Sequence, residues 1–274
     1  MYKLIAIDMD GTLLNDQHEI TPEVRETLLE ARSKGSHIVL CTGRPIGGVH
    51  RYLDELGLTD EGDYVIAYNG ALVQDTHTGR VVNELSLTHE NLEELYEVSR
   101  ELDTPMHYFD SEQVYTPNKD ISRYTILEAH LTQLPLSYRK VEEMPKGTLF
   151  PKVMFIHDPE KLSEVIAAVP DSLKQKYTMV QSAPYFFEIL HPQASKGSAV
   201  QQLAESLDIT REQVMCIGDN GNDLSMIQYA GCGVAMENAI PVIKQHADYE
   251  TLSNNAHGVA DAIQKLVLAK HPSS

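Results

Sequence analysis

Tryptophan is absent from the chain, and only three of its 274 residues are cysteine. Cys41, Cys216 and Cys232 lie in or beside apolar runs, and no two of them have C-x-x-C spacing. This pattern predicts neither a disulfide framework nor a cysteine zinc site. We interpret the three residues as buried thiols of a protein from a reducing compartment.

Positive charge is scarce. Acidic residues outnumber basic ones by 40 to 22, which gives a formal net charge of -18. Such a surface repels a nucleic-acid backbone and an anionic membrane, so neither is expected as a partner. Long apolar runs are also missing, and "MYKLIAID" reaches an aspartate too early for a signal peptide. We predict a soluble, cytoplasmic protein, and base rates favour a homodimer.

The length and the 42% hydrophobic content allow two domains with their own cores. In the first third, the strands "LIAI", "HIVLCT" and "YVIAY" alternate with helical patterns, and this alternation returns after Ser195. Such an order predicts parallel strands with right-handed crossovers. We therefore predict an α/β fold. Its parallel-sheet core spans residues 1–83 and 191–274, and an inserted α+β domain spans residues 84–190.

Local signals fix several elements. "TPEVRETLLEARSKG" predicts a helix with Thr21 as N-cap, Pro22 in its first turn and Gly35 after its end. "ALVQDTHTGRVVNEL" predicts a hairpin with its turn at "DTHTG". In the inserted domain we expect helices at "HENLEELYEVSREL" and near 118–130 and 159–169, and strands at "QVYT", "FPKVMFIH", "YTMVQS" and "YFFEIL". The terminal "HPSS" is expected to fray.

Polar clusters follow four of the apolar strands. They are "DMDGT" after "LIAI", "TGR" after "HIVLC", "NG" after "YVIAY" and "GDNGND" after "VMCI". Ligands of open α/β sheets bind beyond the carboxyl ends of the strands, so these clusters are expected to meet at one edge. A fifth segment, "HPQASKG", places Lys196 at the start of a helix that returns to this domain.

The carboxylates in these clusters suit a hard cation. Asp8 and Asp10 stand one residue apart in an apolar segment, where two negative charges repel each other. With Asp219 they form a candidate site for Mg²⁺, which takes oxygen ligands together with substrate phosphate. Asp223 is a candidate for the surrounding shell or, alternatively, a cap of the following helix.

The remaining residue types suit phosphoryl transfer. Asp8 is the candidate nucleophile, and Asp10 is placed to protonate the leaving alcohol and then deprotonate water. Thr42 offers a hydroxyl and Gly43 a backbone N–H to phosphate, while Lys196 offsets negative charge. Asn222 completes the phosphate shell. Taken alone, Thr42 could be an N-cap, Arg44 a surface ion-pair partner and Lys196 a solvated helix residue.

Taken together, the clusters resemble the four motifs of the haloacid dehalogenase superfamily: "DMDGT", Thr42, Lys196 and "GDNGND". The large insert between the second and third motifs resembles the Cof-type branch, subclass IIB, which carries an α/β cap of type C2B. The resemblance covers the whole chain. The segments "NGALV", "VYTPNKDISRYT", "KYTMVQSAPYFFEIL" and "MENAIP" look specifically like the YidA-type sugar-phosphate phosphatases.

This resemblance implies a Rossmann-like core, a mobile cap and magnesium dependence. It also implies an aspartyl-phosphate mechanism on small phosphorylated metabolites, with sugar phosphates favoured. It implies that Asp8 is nucleophile and metal ligand, that Asp10 is acid/base with its main-chain carbonyl on the metal, and that Asp219 is a metal ligand. Phosphate would be held by the Met9 backbone, Thr42, Gly43, Lys196 and Asn222. The residues of the cap that select the substrate do not follow from it.

Three alternatives stay open at this point. A phosphomutase or phosphotransferase would use the same intermediate on Asp8 but return the phosphoryl group to a sugar hydroxyl. A phospho-receiver switch also holds magnesium and accepts phosphate on aspartate. Two features do not fit a receiver. A receiver needs an open site, which the inserted domain could cover, and it needs no general acid/base residue such as Asp10. Dehalogenation is weaker still, since it requires neither magnesium nor the second aspartate.

Overall fold

The structure is a computed structural model that describes residues 2–110 and 112–269. The chain divides into two compact units. The first comprises Met1–Thr42, His50–Asn83 and Ser195–Ser274, and the second comprises Gly43–Val49 and Glu84–Ala194. The predicted frayed end at "HPSS" lies outside the described residues.

Short strands and helices follow one another along the chain. The strands are β1 (Leu4–Ile7), β2 (His37–Cys41), β3 (Tyr64–Ala67), β4 (Leu72–Asp75), β5 (Val81–Glu84), β6 (Met106–Phe109), β7 (Val114–Thr116), β8 (Leu136–Tyr138), β9 (Val153–Ile156), β10 (Thr178–Ala183), β11 (Phe186–Leu190), β12 (Val214–Gly218), β13 (Cys232–Ala235) and β14 (Tyr249–Glu250). The α-helices are α1 (Pro22–Ser33), α2 (His50–Leu56), α3 (His89–Glu101), α4 (Arg123–Thr132), α5 (Pro159–Ala168), α6 (Asp171–Lys176), α7 (Lys196–Ser206), α8 (Leu224–Tyr229), α9 (Pro241–His246) and α10 (Gly258–Ile263).

The sheet of the first unit has the order β14-β13-β12-β1-β2-β3-β4-β5. Its strands are parallel from β14 to β3, and β4 pairs antiparallel with β3. Every residue of β1 is buried, as expected for a central strand covered on both faces. The predicted parallel α/β sheet is therefore confirmed, and the predicted hairpin, β4 and β5, forms its antiparallel edge.

Helix α1 shows how local signals set the element boundaries. Pro22 occupies its first turn, and Gly35 follows its end with φ +95°, a backbone conformation that glycine adopts without strain. Thr21 occupies the predicted N-cap position, although its side chain makes no capping hydrogen bond. The Thr21 hydroxyl instead shares a 2.9 Å hydrogen bond with Nδ1 of His257.

The second unit is built on a sheet of order β10-β11-β9-β6-β7-β8, antiparallel except for the pair β7–β8. One face of this sheet packs its apolar residues against α3, α5 and α6. The four predicted strands are present, and so are the three predicted helices, as α3, α4 and α5. Three elements were not predicted: β6, β8 and α6. Each is short, and "MHYF" and "LSY" show no clear alternation of apolar and polar residues.

One segment groups differently from the predicted domain limits. Residues 43–49 were placed in the core domain, yet the structure assigns them to the second unit. A Cβ on Gly47 would lie 3.4 Å from Cδ2 of Leu134 and 3.6 Å from the carbonyl oxygen of Thr132, so this segment packs beside the end of α4. The second unit is thus assembled from two stretches of chain.

All three cysteines are buried and unpaired, as predicted. Within residues 2–110 and 112–269, no helix has both the length and the apolar character that crossing a bilayer requires.

Candidate active site

The first polar cluster begins where β1 ends. The N–H of Asp8 donates to the carbonyl of Ile217 at 3.0 Å, which extends the pairing of β1 with β12 by one residue. The chain then turns back, because the N–H of Leu13 donates to the carbonyl of Asp8 at 3.1 Å. Gly11 adopts φ +80° in this turn, and a Cβ there would lie 2.6 Å from Oδ2 of Asp219. Only glycine allows both the turn and the close approach of Asp219.

Lys196 lies at the start of α7 and is completely buried. Its ammonium donates to Oδ1 of Asp8 at 2.5 Å and to Oδ1 of Asp223 at 2.6 Å. Ser195 caps the helix by accepting from the N–H of Ser198 at 3.0 Å. Buried charges are stable only when they are paired, so the reading of Lys196 as a solvated helix residue is wrong.

The electrostatics of this cluster favour a further cation. Burial raises the pKa of Asp8 well above its usual range, the charge of Asp223 adds to this, and Lys196 opposes it. Burial and Asp223 also raise the pKa of Asp219 to about 6. Burial alone would lower the pKa of Lys196, but Asp223 and Asp8 raise it above its ordinary value, so it stays protonated. Three carboxylates against one ammonium leave an excess of negative charge.

The donor set fits Mg²⁺. Asp8, Asp219 and Asp223 each offer one carboxylate oxygen, and these oxygens all lie within 4.8 Å of one another. Oxygen-only donors of this kind suit Mg²⁺ and similar hard cations. Oδ1 of Asp223 already accepts from Lys196, and its Oδ2 accepts from the backbone N–H of Asp219 at 2.9 Å. Asp8 and Asp219 are therefore the better-suited ligands, and Asp223 mainly fixes the loop and Lys196.

Asp10 stands apart from this carboxylate group. Its side chain is 48% exposed, and its Oδ1 lies 3.7 Å from Nδ1 of His18. The carboxylate oxygens that lie within 4.8 Å of one another belong to Asp8, Asp219 and Asp223, and Asp10 is not in that group. Exposure suits a group that exchanges protons with a leaving alcohol and with water. Its predicted metal contact, through the main-chain carbonyl, remains a prediction.

Two of the predicted phosphate-binding residues are connected through one asparagine. Thr42 is buried directly after β2, and its carbonyl accepts from the N–H of Asn69 at 2.9 Å. Asn222 lies in the 3₁₀ turn Gly221–Asp223 and donates from Nδ2 to Oδ1 of Asn69 at 2.9 Å.

Two further phosphate contacts, those of Met9 and Gly43, are predicted to come from the backbone. The Met9 side chain is fully buried in the turn after β1, and its carbonyl accepts from the N–H of Leu14 at 2.9 Å. Gly43 follows Thr42 in sequence and belongs to the second unit. Neither placement tests the predicted phosphate contact.

Sequence reasoning missed two side chains of this site. Thr12 donates from its hydroxyl to Oδ1 of Asp219 at 2.9 Å, which helps to hold that carboxylate in place. Asn69 was seen only as part of the "NG" cluster after β3, and no role was given to it. Its position directly after a strand, like that of Asp8, was the available signal.

Comparison with known proteins places the chain in a family. Residues 5–263 match the haloacid dehalogenase-like hydrolases. The putative phosphatase YxeH of Bacillus subtilis is 65% identical over 270 residues, covering 98% of this chain and 100% of that protein. The 5-amino-6-(5-phospho-D-ribitylamino)uracil phosphatase YcsE of the same organism is 31% identical over 266 residues, covering 97% and 96% of the two chains.

Solved structures agree. A haloacid dehalogenase-like hydrolase from Bacteroides thetaiotaomicron superposes with a TM-score of 0.86 at 34% identity, covering 97% of this chain and 100% of that one. The HAD subclass IIB sugar phosphatase BT4131 shares the fold with a TM-score of 0.80 at 24% identity, covering 97% and 100%. The chain belongs to the haloacid dehalogenase-like hydrolases, and it is a phosphatase, a hydrolase of phosphoric monoesters. The predicted family, fold and enzyme class are confirmed.

Proposed function

We propose that this protein is a magnesium-dependent phosphatase of small phosphorylated metabolites, chiefly sugar phosphates, that acts through an aspartyl-phosphate on Asp8. The observation that carries the proposal is the buried contact of Lys196 with Asp8, inside a group of carboxylates that lacks enough positive charge of its own. That arrangement suits a site that receives a phosphate ester together with a cation.

The reaction has two steps. A carboxylate oxygen of Asp8 attacks phosphorus, the bond from phosphorus to the ester oxygen breaks, and Asp10 gives its proton to the departing alcohol. Asp10 then takes a proton from water as that water attacks phosphorus, and the bond between Asp8 and phosphorus breaks. Asp8 is regenerated and inorganic phosphate leaves. Lys196 orients Asp8 and offsets the negative charge that the phosphate brings.

Asp8, Asp219 and the main-chain carbonyl of Asp10 would hold the metal. Bound Mg²⁺ supplies positive charge to the carboxylates and to the phosphoryl oxygens. Burial, and after it the charge of Asp223, raises the pKa values of Asp8 and Asp219. The repulsion between these carboxylates supports the assignment, because a bound dication relieves it. Thr42, Gly43, Asn222 and the Met9 backbone would hold the phosphate.

The choice of substrate class rests on chemistry and on relatives. The name of YcsE describes a phosphate ester on a ribityl chain, which is derived from a sugar. We assign catalysis to the first unit and the role of a cap to the second, which is inserted between the second and third motifs. A sugar phosphate or a polyol phosphate offers a phosphate group, on which the first unit would act. It also offers hydroxyl groups, by which one substrate could be selected over another.

The test is phosphate release from a panel of sugar phosphates, a polyol phosphate and an aryl phosphate, with and without Mg²⁺. Asp8→Asn and Asp10→Asn are compared with Asp54→Asn, an exposed aspartate on α2. We expect release to require Mg²⁺ and both Asp8 and Asp10, and to be unchanged in Asp54→Asn. Release that persists in Asp8→Asn would contradict the mechanism. Transfer of phosphate to an added sugar without net release would identify a phosphotransferase.

A further inference from the structure

We infer that Asn69 is a positioning residue of the phosphate site, which ties Thr42 to Asn222 and sets the direction in which the Asn222 amide donates. This inference rests on the proposed function, in which Thr42 and Asn222 hold phosphate. It concerns a residue outside the four motifs.

Asn69 connects two distant parts of the chain. It lies between β3 and β4 and is 2% exposed. Its N–H donates to the carbonyl of Thr42 at 2.9 Å, and its Oδ1 accepts from Nδ2 of Asn222 at 2.9 Å. Thr42 follows β2 and Asn222 follows β12, so a single residue, through its backbone N–H and its side chain, joins the loops of strands that are not neighbours in the sheet.

The second of these hydrogen bonds decides which way the Asn222 amide faces. Phosphate oxygens only accept hydrogen bonds, so Asn222 can bind phosphate only through one of its two Nδ2 hydrogens. Asn69 accepts the other hydrogen. While Oδ1 of Asn69 faces Asn222, the flipped Asn222 amide, which would present Oδ1 to the phosphate, would place two acceptor oxygens against each other. Because the Asn222 amide is already held in the orientation that donates to phosphate, no free energy is spent on orienting it when phosphate binds.

The backbone around Asn69 is unusual for non-glycine residues. Tyr68, Asn69 and Gly70 all have positive φ, at 50°, 54° and 92°. A Cβ on Gly70 would lie 2.1 Å from the carbonyl oxygen of Ser195. This turn therefore packs closely against Ser195, the residue that precedes Lys196. Strained residues of this kind persist where surrounding structure holds them and are concentrated at functional sites. The turn therefore meets three of the segments that carry proposed phosphate ligands.

A purely conformational role has to be separated from a side-chain role. Asparagine tolerates the left-handed region better than most residues, so Asn69 could serve the turn alone. Asn69→Gly separates the two, because glycine keeps the backbone conformation and removes only the side chain. Asp208→Gly is the matched control. Asp208 has φ 54°, is exposed, and follows α7 in the same unit.

The experiment uses the full chain with Mg²⁺ and measures KM for an aryl phosphate, the Ki of inorganic phosphate and the melting temperature. We expect Asn69→Gly to raise the Ki of phosphate and KM by about tenfold, the scale of one lost buried hydrogen bond. Its kcat should change much less than its KM. Its melting temperature should fall below that of Asp208→Gly, because a buried hydrogen bond is lost only in Asn69→Gly. The double variant Asn69→Gly/Asn222→Ala should bind phosphate no more weakly than Asn222→Ala.

Two results overturn the inference while leaving the proposed function intact. One is an unchanged Ki for phosphate in Asn69→Gly when Asn222→Ala weakens it. The other is a double variant in which the two effects multiply. If Asn222→Ala leaves the Ki unchanged, then Asn222 does not hold phosphate, and that part of the proposed function fails together with the inference.

A second measurement does not depend on how Asn69→Gly folds. In ¹⁵N-labelled wild-type protein, the Asn222 side-chain amide is identified by its loss in Asn222→Ala. We expect one of its two Nδ2 hydrogens to exchange with solvent more slowly than the other, because Asn69 accepts it. Equal and fast exchange of both hydrogens would overturn the inference.

Discussion

The ammonium of Lys196 lies 2.6 Å from Oδ1 of Asp223, and both side chains are completely buried. Asp223 also accepts from the backbone N–H groups of Asp219 and Asn220, at 2.9 and 3.0 Å. One carboxylate therefore holds both the lysine that contacts Asp8 and the loop that carries Asp219. The stability of the first unit and the geometry of its candidate site are linked through this pair.

Loss of the buried partner should destabilise the protein strongly. Asp223→Asn is expected to lower the free energy of unfolding by about 3 kcal/mol, since it leaves the Lys196 charge with one carboxylate fewer. The measurement is urea denaturation. The control is Asp171→Asn, which removes the partner of Lys174 in an exposed pair with an N–O distance of 3.5 Å. Exposed pairs contribute little, so no measurable change is expected there. Equal losses in the two variants would contradict the account.

We expect Gly11 to be essential for Mg²⁺ binding, in addition to any effect that its replacement has on stability. In Gly11→Ala the new Cβ would lie 2.6 Å from Oδ2 of Asp219 and displace that carboxylate. We expect the Mg²⁺ concentration for half-maximal activity to rise by about tenfold or more, the range seen when ligand geometry is disturbed.

Gly62→Ala is the matched control for this variant. Gly62 has φ +87°, close to the +80° of Gly11, but a Cβ there meets no atom within 4 Å. It carries the same backbone strain without the clash, so its Mg²⁺ requirement should equal that of the wild type. A similar rise in both variants would show that strain, and not the position of Asp219, sets the metal affinity.

Metal affinity should fall in mild acid. The pKa of Asp219 is raised to about 6 by burial and by the charge of Asp223. A protonated carboxyl does not ligate Mg²⁺, so affinity is full above this pKa and declines as the pH falls through it. Between pH 7.5 and 5.5 we expect a loss of about fourfold from Asp219 alone. Calorimetric titration at the two pH values measures it.

The variant Thr12→Val provides a second test of the predicted pH dependence of Mg²⁺ affinity. The Thr12 hydroxyl donates to Asp219 and favours its ionised form, so its removal should move the decline in Mg²⁺ affinity to higher pH. An affinity that is independent of pH over this range, or a shift to lower pH in Thr12→Val, would contradict the assignment of Asp219 as a ligand.

The stability of the second unit should also depend on pH, through His107. His107 is completely buried, between Oγ1 of Thr125 at 3.2 Å and Sδ of Met154 at 3.1 Å. Burial, together with the charge of Lys152, lowers its pKa from 6.5 to about 3. Between these values the unfolded chain binds a proton that the folded chain does not, so stability is lost as the pH falls below about 6.5.

The expected size of this loss is about 2 kcal/mol between pH 6.5 and 5.0, at about 1.4 kcal/mol for each pH unit. Urea denaturation of wild type and His107→Asn over this range isolates it, because the other titrating groups are common to both. The wild type should lose stability more steeply toward acid than His107→Asn does. Parallel pH dependences would show that His107 is protonated in the folded protein.

Local patterns predicted the central part of the first unit. The apolar run of β1 followed by Asp8 marks a buried strand with polar residues at its carboxyl end, and Gly11 and Gly35 mark places where positive φ is needed. The alternation of strands and helices then restricts the sheet to parallel order. Those constraints are local or topological, and a single sequence contains them.

Other features depend on partners that are distant in sequence. Lys196 is separated from Asp8 by 188 residues and from Asp223 by 27, so nothing near it indicates that it is buried. The bond between Asn69 and Asn222 spans 153 residues. In the second unit, β6 and β8 are too short to show an alternation of apolar and polar residues. They form because they pair with neighbouring strands, β6 with β9 and β8 with β7. Tertiary contacts decide all of these features.

The most direct test of the central claim is to trap the phosphorylated enzyme. Asp10→Asn, which should slow the attack of water, is mixed with an aryl phosphate and Mg²⁺, quenched in acid within milliseconds and analysed by peptide mass spectrometry. We expect one phosphoryl group on Asp8, absent without Mg²⁺ and absent in the double variant Asp8→Asn/Asp10→Asn. Wild-type turnover with no phosphoryl group on Asp8 at any quench time, or turnover retained in Asp8→Asn, would contradict the central claim.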